Sequence, residues 1–356
     1  MSAPLKVGLA GTGSISWYHL PAYQQFPETV KLTAVCDIRP DAMEKFGEKA
    51  GVKDRYTDFS EMLKNADIDA VDICTIHDQH EAQVLAAAAA GKQIFLEKPM
   101  AVNMKQCYRM VEAAKKAGVT FMIGHDLRYM PHALAIKRVV ESGELGPVRM
   151  TRSVLIANMD FGAGGGGFKL GHWLTDPKRS GGGMVISGLI HQIDLLRYYI
   201  GDIKSVYAIN RSHQSSAEEY TTVTLEFENG VIGTAMVIGP ATRSPLGCEY
   251  SLFGDEGTII STMAENRTYQ FGHGTIASKK RGNAGESFNK FAPIEPVRGN
   301  LHTDDPFINE ILHFADCCRE KKEPLTSGRD NLGTIKTVFA IYESIKTGKK
   351  IELAKM

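Results

Sequence analysis

A lysine and a histidine, far apart in a chain of 356 residues, are the side chains here best suited to moving a proton or holding a developing oxyanion. Lys98 ends the run Gln93-Ile94-Phe95-Leu96-Glu97-Lys98-Pro99, whose apolar part reads as a buried parallel strand. A proline after the lysine predicts extended or polyproline-like backbone at the strand end. Glu97 alternates to the opposite side of that strand, where it meets either a cofactor or a helix. His191 follows the triple glycine 181–183 on a helical pattern that also carries Ser187, Ile190 and Asp194 at spacings of three and four. An imidazole titrates near neutrality and serves as a general base, while an ammonium group stabilises an alkoxide or relays its proton. Taken singly, each has an ordinary reading, a solvated strand-end lysine and a packing histidine. Weight comes from finding both in one chain.

Gly11-Thr12-Gly13-Ser14-Ile15-Ser16 lies between a strand at 5–10 and a helix around Tyr18. Glycines at these positions let the backbone turn tightly and approach a pyrophosphate, which amide N–H groups at the helix start then hold. The next strand, 30–36, ends in Asp37, about 24 residues beyond Gly13, where a dinucleotide-binding unit places the acid that accepts ribose hydroxyls. A carboxylate there favours NAD over NADP, and Arg39 two residues on leaves NADP as the alternative. The expected cofactor contacts are therefore Gly11, Gly13, Ser14, Ile15, Asp37, Ile38, Arg39, Thr75, Ile76, His77, His80, Glu97, Lys98 and His125. His77 and His80 are spaced for a metal, but no third ligand lies nearby in sequence, so no metal is expected.

Positioning these groups requires a sheet whose strands all end on one side. Strands at 5–10, 30–36, 55–56, 70–76, 93–96 and 120–124 alternate with helices at 40–50, 59–64 and 81–90, the signature of a doubly wound parallel sheet. After Gly124 the pattern changes. A polar crossover, 125–131, and a helix at 132–142 lead into strands at 148–156, 203–212, 219–228, 231–237, 249–254, 257–262 and 267–271, with Asn229-Gly230 as a hairpin turn. A helix starts near Gly182, and helices at 307–320 and 331–347 end the chain. The fold class is α/β plus α+β: a dinucleotide-binding domain at 1–124 and, at 125–356, an α+β domain with a large, open, mainly antiparallel sheet for substrate binding and oligomerisation.

Forty-one basic and forty-one acidic residues leave no net field to hold nucleic acid or a membrane surface. The six cysteines show no CxxC spacing and fall in apolar patterns, which suits reduced thiols in the cytoplasm. Residues 1–4 run straight into a strand without a basic and apolar leader, and no stretch is long enough to cross a bilayer. The expected partners are a small molecule and further copies of the chain, as a dimer or tetramer, because an open sheet has two faces and one must be covered.

Gly11-Thr12-Gly13, Ala90-Gly91-Lys92 with Glu97-Lys98-Pro99, Trp173 with Asp176-Pro177, and Gly181-Gly182-Gly183 with His191 and Asp194 together resemble the Gfo/Idh/MocA oxidoreductases over nearly the whole chain. That family includes inositol dehydrogenases and other NAD(P)-dependent sugar and polyol oxidoreductases. The resemblance implies reversible hydride transfer between nicotinamide and a secondary alcohol of a sugar, cyclitol or sugar derivative, with Lys98 and His191 flanking the reacting carbon. Lys98, Arg128, Tyr129, Asn158, Asp160, Trp173, Asp176, Ser187, His191 and Asp194 are the expected substrate contacts. Ser187 stands where many relatives have an aspartate beside the histidine, and Leu174 where arginine often follows the tryptophan. Alternatives left open are a keto-sugar reductase, a redox-neutral NAD-dependent glycoside-cleaving enzyme and a non-catalytic dinucleotide-sensing regulator.

Overall fold

Apolar strands buried on both faces begin the chain. In this computed structural model, which describes residues 3–156, 172–212, 218–239, 248–263, 272–282 and 291–356, the strands are β1 (Leu5–Ala10), β2 (Val30–Cys36), β3 (Asp54–Tyr56), β4 (Ala70–Ile73), β5 (Gln93–Glu97) and β6 (Phe121–Gly124). They form one parallel sheet in the order β3-β2-β1-β4-β5-β6. Helices α1 (Ser16–Gln25), α2 (Pro40–Ala50), α3 (Phe59–Asn65), α4 (His80–Ala89) and α5 (Met104–Ala117) make the crossovers. Leu9, Val35, Val71, Ile73, Ile94, Leu96 and Ile123 are buried in this sheet. Such near-continuous apolar strands need cover on both faces. The strand order reverses between β1 and β4, so the crevice beyond their carboxyl ends is the natural ligand position of this topology.

The rest of the chain runs through α6 (Pro131–Glu141), β7 (Val148–Ile156), α7 (Pro177–Ser180), α8 (Ile190–Ile200), β8 (Ile203–Arg211), β9 (Tyr220–Phe227), β10 (Ile232–Ile238), β11 (Cys248–Gly254), β12 (Gly257–Met263), β13 (Gly272–Ser278), β14 (Ala292–Ile294), α9 (Pro306–Glu320), α10 (Gly328–Thr347) and β15 (Ile351–Glu352). Strands β7 to β15 form a nine-stranded sheet in the order β14-β13-β12-β11-β7-β10-β9-β8-β15. All neighbours are antiparallel except the parallel pair β7 and β10. The hairpin at Asn229-Gly230 joins β9 to β10, with Gly230 at φ +85°. One sheet face is buried through Val223, Leu225, Ala235, Val237, Tyr250 and Leu252. Leu195 and Tyr199 of α8 share a buried cluster with Tyr250, Leu252 and Ile136 of α6.

The chain forms two compact units: 1–126, Lys178–Gly181 and Phe307–Leu332 make one, and Leu127–Pro177, Gly182–Pro306 and Gly333–Met356 the other. The sequence division at 124/125 assigns everything later to the second domain, whereas α9 returns to the first unit. Its apolar face explains why, since Phe314, Ile311 and Leu312 are fully buried and the Phe314 ring lies 5.6 Å from that of Phe95 on β5. Beyond α9, Ile123 donates its N–H to Thr326 O at 2.8 Å, and Thr326 Oγ1 donates to Ile123 O at 2.7 Å, extending β6 outward. Sequence pattern misses the short strands β14 and β15, too brief to show a period. The strand expected at 267–271 lies outside the described residues.

Candidate active site

Five of the six loops leaving the carboxyl edge of the parallel sheet carry an expected cofactor residue; the one after β3 carries none. Gly11 follows β1 at φ +91°, and a Cβ there would lie 2.6 Å from Cys74 O and 2.8 Å from Thr75 N. The turns after β1 and β4 therefore approach so closely that only glycine fits. A Cβ on Gly13 would meet no atom within 4 Å, so the protein leaves space above this turn, beside the start of α1. Asp37, after β2, accepts Thr12 N–H at 2.8 Å and Thr12 Oγ1 at 2.9 Å through Oδ2, and Arg39 N–H at 2.9 Å through Oδ1. Burial works against its charge, yet these bonds from Arg39 and Thr12 hold its carboxyl below the usual range. Ser14 and Ile38 are exposed and Ile15 is half-buried at the start of α1. Open space over Gly13 and an ionised acid at the second strand end are the features a dinucleotide needs, and these residues fit it.

Further along the same edge, Thr75 and Ile76 are half-buried after β4. His77 Nδ1 lies 2.7 Å from Ser180 O, and burial pushes its imidazole well below the ordinary value. His80 sits with Nδ1 2.9 Å from Pro99 O and Nε2 3.1 Å from Thr75 O, so it ties the β4 loop to the β5 loop. Burial lowers its pKa as well. Lys98 is half-buried at the end of β5, and its peptide bond to Pro99 is cis. Glu97, expected to meet either a cofactor or a helix, points inward and is only 5% exposed, with Oε2 accepting Lys98 N–H at 3.0 Å and Oε1 3.2 Å from His19 Nε2 of α1. Alternation along β5 is the reason. His125 is buried after β6, 2.6 Å from Asn331 Nδ2.

In the second unit, His191 opens α8, directly after a single π-helical turn at Val185–Leu189. Such turns widen a helix locally and recur at functional positions. Ser187 and His191 are half-buried, as are Trp173 and Asp176. Asp194 does not share their setting. It is 1% exposed, and Arg128 donates to it twice, Nε to Oδ2 and Nη2 to Oδ1, each at 2.6 Å, while Thr334 Oγ1 donates to Oδ1 at 2.9 Å. The Arg128 guanidinium also lies 5.3 Å from the Tyr198 ring centroid, and Tyr129 is buried. Arg128, Tyr129 and Asp194, three of the expected substrate contacts, are buried, and the first and third form a bidentate pair. Asn158, Asp160 and the glycine loop at 162–167 lie outside the described residues.

Two residues that sequence pattern does not single out hold the glycine segment. Glu218 Oε1 accepts Gly183 N–H at 2.8 Å, Val185 N–H at 3.0 Å and Tyr342 Oη at 2.6 Å, and Ile186 N–H donates to Tyr342 Oη at 3.1 Å. Burial raises the Glu218 pKa against the opposing pull of these bonds. No local signal marks either residue, since both lie far from 183–186 in sequence.

Comparison with known proteins agrees with this architecture. Residues 5–125 match the oxidoreductase family with NAD-binding Rossmann fold, and residues 133–260 match the GFO/IDH/MocA C-terminal domain. The chain is 25% identical to the myo-inositol 2-dehydrogenase of Thermotoga maritima, covering 98% of each protein. It is 27% identical to the scyllo-inositol 2-dehydrogenase (NAD(+)) of Bacillus subtilis, covering 99% of this chain and 97% of the other. The crystal structure of the aldose-aldose oxidoreductase of Caulobacter crescentus complexed with glycerol shares its fold, with a TM-score of 0.85 at 24% identity over 98% of this chain and 99% of that one. Two family profiles in tandem, and a sheet edge that gathers Gly11, Asp37 and Lys98, place this chain in the GFO/IDH/MocA family of oxidoreductases, with an NAD-binding Rossmann domain as its first unit.

Proposed function

We propose that the protein is an NAD-dependent dehydrogenase acting on a secondary alcohol of a sugar, cyclitol or sugar derivative, with Lys98 and His191 handling the proton. The observation that carries this reading is the position of Lys98, half-buried at the same strand-end edge as Gly11, Asp37 and Thr75. When bound, nicotinamide supplies the hydride acceptor or donor. Asp37 receives ribose hydroxyls and disfavours a 2′-phosphate. The His191 imidazole takes the hydroxyl proton as the carbinol carbon is oxidised, and the Lys98 ammonium stabilises the alkoxide. Trp173, Asp176 and Ser187 shape the substrate's surroundings, while Arg128 and Asp194 act as scaffold. The test is a spectrophotometric screen of cyclitols and monosaccharides with NAD and NADP, followed by Lys98→Ala and His191→Ala. Each should lower kcat by about 10²- to 10⁴-fold with little change in NAD affinity; wild-type turnover in both variants overturns the assignment.

The chain also self-associates in this reading, through the outer face of the nine-stranded sheet. Met150, Tyr207, Ile209, Ile232 and Phe253 are each at least 37% exposed there. Large apolar side chains from several strands of one sheet face suit a second copy of the chain. Free thiols at Cys36, Cys74, Cys107, Cys317 and Cys318 fit a reducing, cytoplasmic setting. No helix among the described residues is long and apolar enough to cross a membrane.

A further inference from the structure

Between α1 and strands β4 and β5, the first unit buries an unusual set of polar side chains. His19 of α1 is fully buried, with Nδ1 2.9 Å from Asp72 Oδ2 and Nε2 3.2 Å from Glu97 Oε1. Asp72 also accepts Tyr23 Oη at 2.8 Å and the Cys74 thiol at 3.3 Å. Glu310, brought by α9, is 0% exposed, and among the described residues neither of its carboxylate oxygens has a hydrogen-bond partner. One ligand atom from each of His19, Glu97 and Glu310 lies within 4.8 Å of the other two.

Two carboxylates and an imidazole converge in the interior here, and buried charges persist only when paired or bound to a metal. We propose that His19 Nε2, Glu97 and Glu310 hold one divalent first-row metal ion, zinc or manganese, as a structural site. The donor set, one nitrogen and two carboxylates, suits these ions. Ligands about 2.1 Å from an ion at tetrahedral to octahedral angles stand about 3.0–3.4 Å apart, and the Nε2 to Oε1 separation falls in that span. The other ring nitrogen faces Asp72, itself anchored by Tyr23, which is the outer-shell arrangement that orients a metal-bound histidine. Because Nδ1 is committed in this way, the second nearby group, His19, Asp72 and Cys74, serves as support. Binding displaces any proton held by the two glutamates and fastens α9 to β5. It also fixes Glu97, whose other oxygen receives the Lys98 N–H.

The experiment uses the full chain, purified without an affinity tag or chelator and analysed for metals by mass spectrometry. A second portion is unfolded with chelator, refolded metal-free, and titrated separately with zinc, manganese and magnesium. About one equivalent of zinc or manganese per chain, and a rise in Tm of at least about 4 °C on restoring it, are expected. Glu310→Gln should fold yet retain less than about a tenth of an equivalent. Should that variant fail to fold, cobalt added to the refolded wild type reads the site directly, by a visible d–d band that zinc abolishes. A metal-free wild type whose Tm none of the ions changes, with an infrared carboxylic-acid band from Glu310, overturns the proposal: a proton then occupies the place of the metal. Full metal content in a folded Glu310→Gln variant overturns it equally.

Discussion

In the proposed reading, dinucleotide preference turns on Asp37, whose carboxylate Thr12 and Arg39 already orient as an acceptor for ribose hydroxyls. Replacing it with alanine should raise the KM for NAD by about tenfold and narrow the ratio of NAD to NADP efficiency, read from steady-state kinetics with both cofactors. The same contacts have a pH signature. Because the folded-state pKa is depressed, their contribution to stability is complete above the unfolded value of about 3.9 and fades as pH falls through the folded one. Acid titrations of wild type and Asp37→Asn should therefore converge below about pH 4, and a constant gap would contradict this. Arg128 and Asp194 offer a second residue-scale test. Asp194→Ala removes the carboxylate that accepts two buried guanidinium hydrogen bonds and should cost about 3–5 kcal/mol by denaturant unfolding, whereas Arg128→Met with Asp194→Leu should recover most of that loss. An exposed, substrate-facing pair would show little loss of stability and a large rise in KM.

At the scale of elements, the glycine segment ahead of His191 is governed by what packs on it. Gly182 has φ +153°, and a Cβ there would lie 2.0 Å from Tyr342 Oη and 2.5 Å from Cζ. Gly182→Ala should therefore destabilise by about 1–3 kcal/mol and reduce turnover, because Tyr342 and Glu218 together hold residues 183–186. In a double-mutant cycle with Tyr342→Phe, measured by chemical denaturation, the two losses should fall short of additive by about 0.5–3 kcal/mol. Strict additivity would show that the tyrosine does not constrain the turn. Gly182 answers an internal demand: Tyr342 of α10 passes too near for a side chain.

At the scale of the whole molecule, the outer face of the nine-stranded sheet offers the clearest measurable consequence. Ile209→Lys combined with Ile232→Lys should shift the species seen by light scattering to a smaller one while circular dichroism stays unchanged; an unaltered mass would remove this face from consideration. The division of the chain follows from a related demand, since α9 buries Phe314 and Leu312 against the first unit although the amphipathic pattern at 307–320 names no partner. The sequence by itself determined the two sheets, the turn at Gly11, the acid at Asp37 and the strand-end lysine, because each rests on periodicity or spacing within a few residues. Only the tertiary structure decided that Asp194 belongs to Arg128, that Glu218 and Tyr342 hold the glycine turn, and that Glu310 joins His19 and Glu97. A buried polar group must find its partner within hydrogen-bonding distance wherever the chain brings one, and separation along the sequence carries no record of that choice.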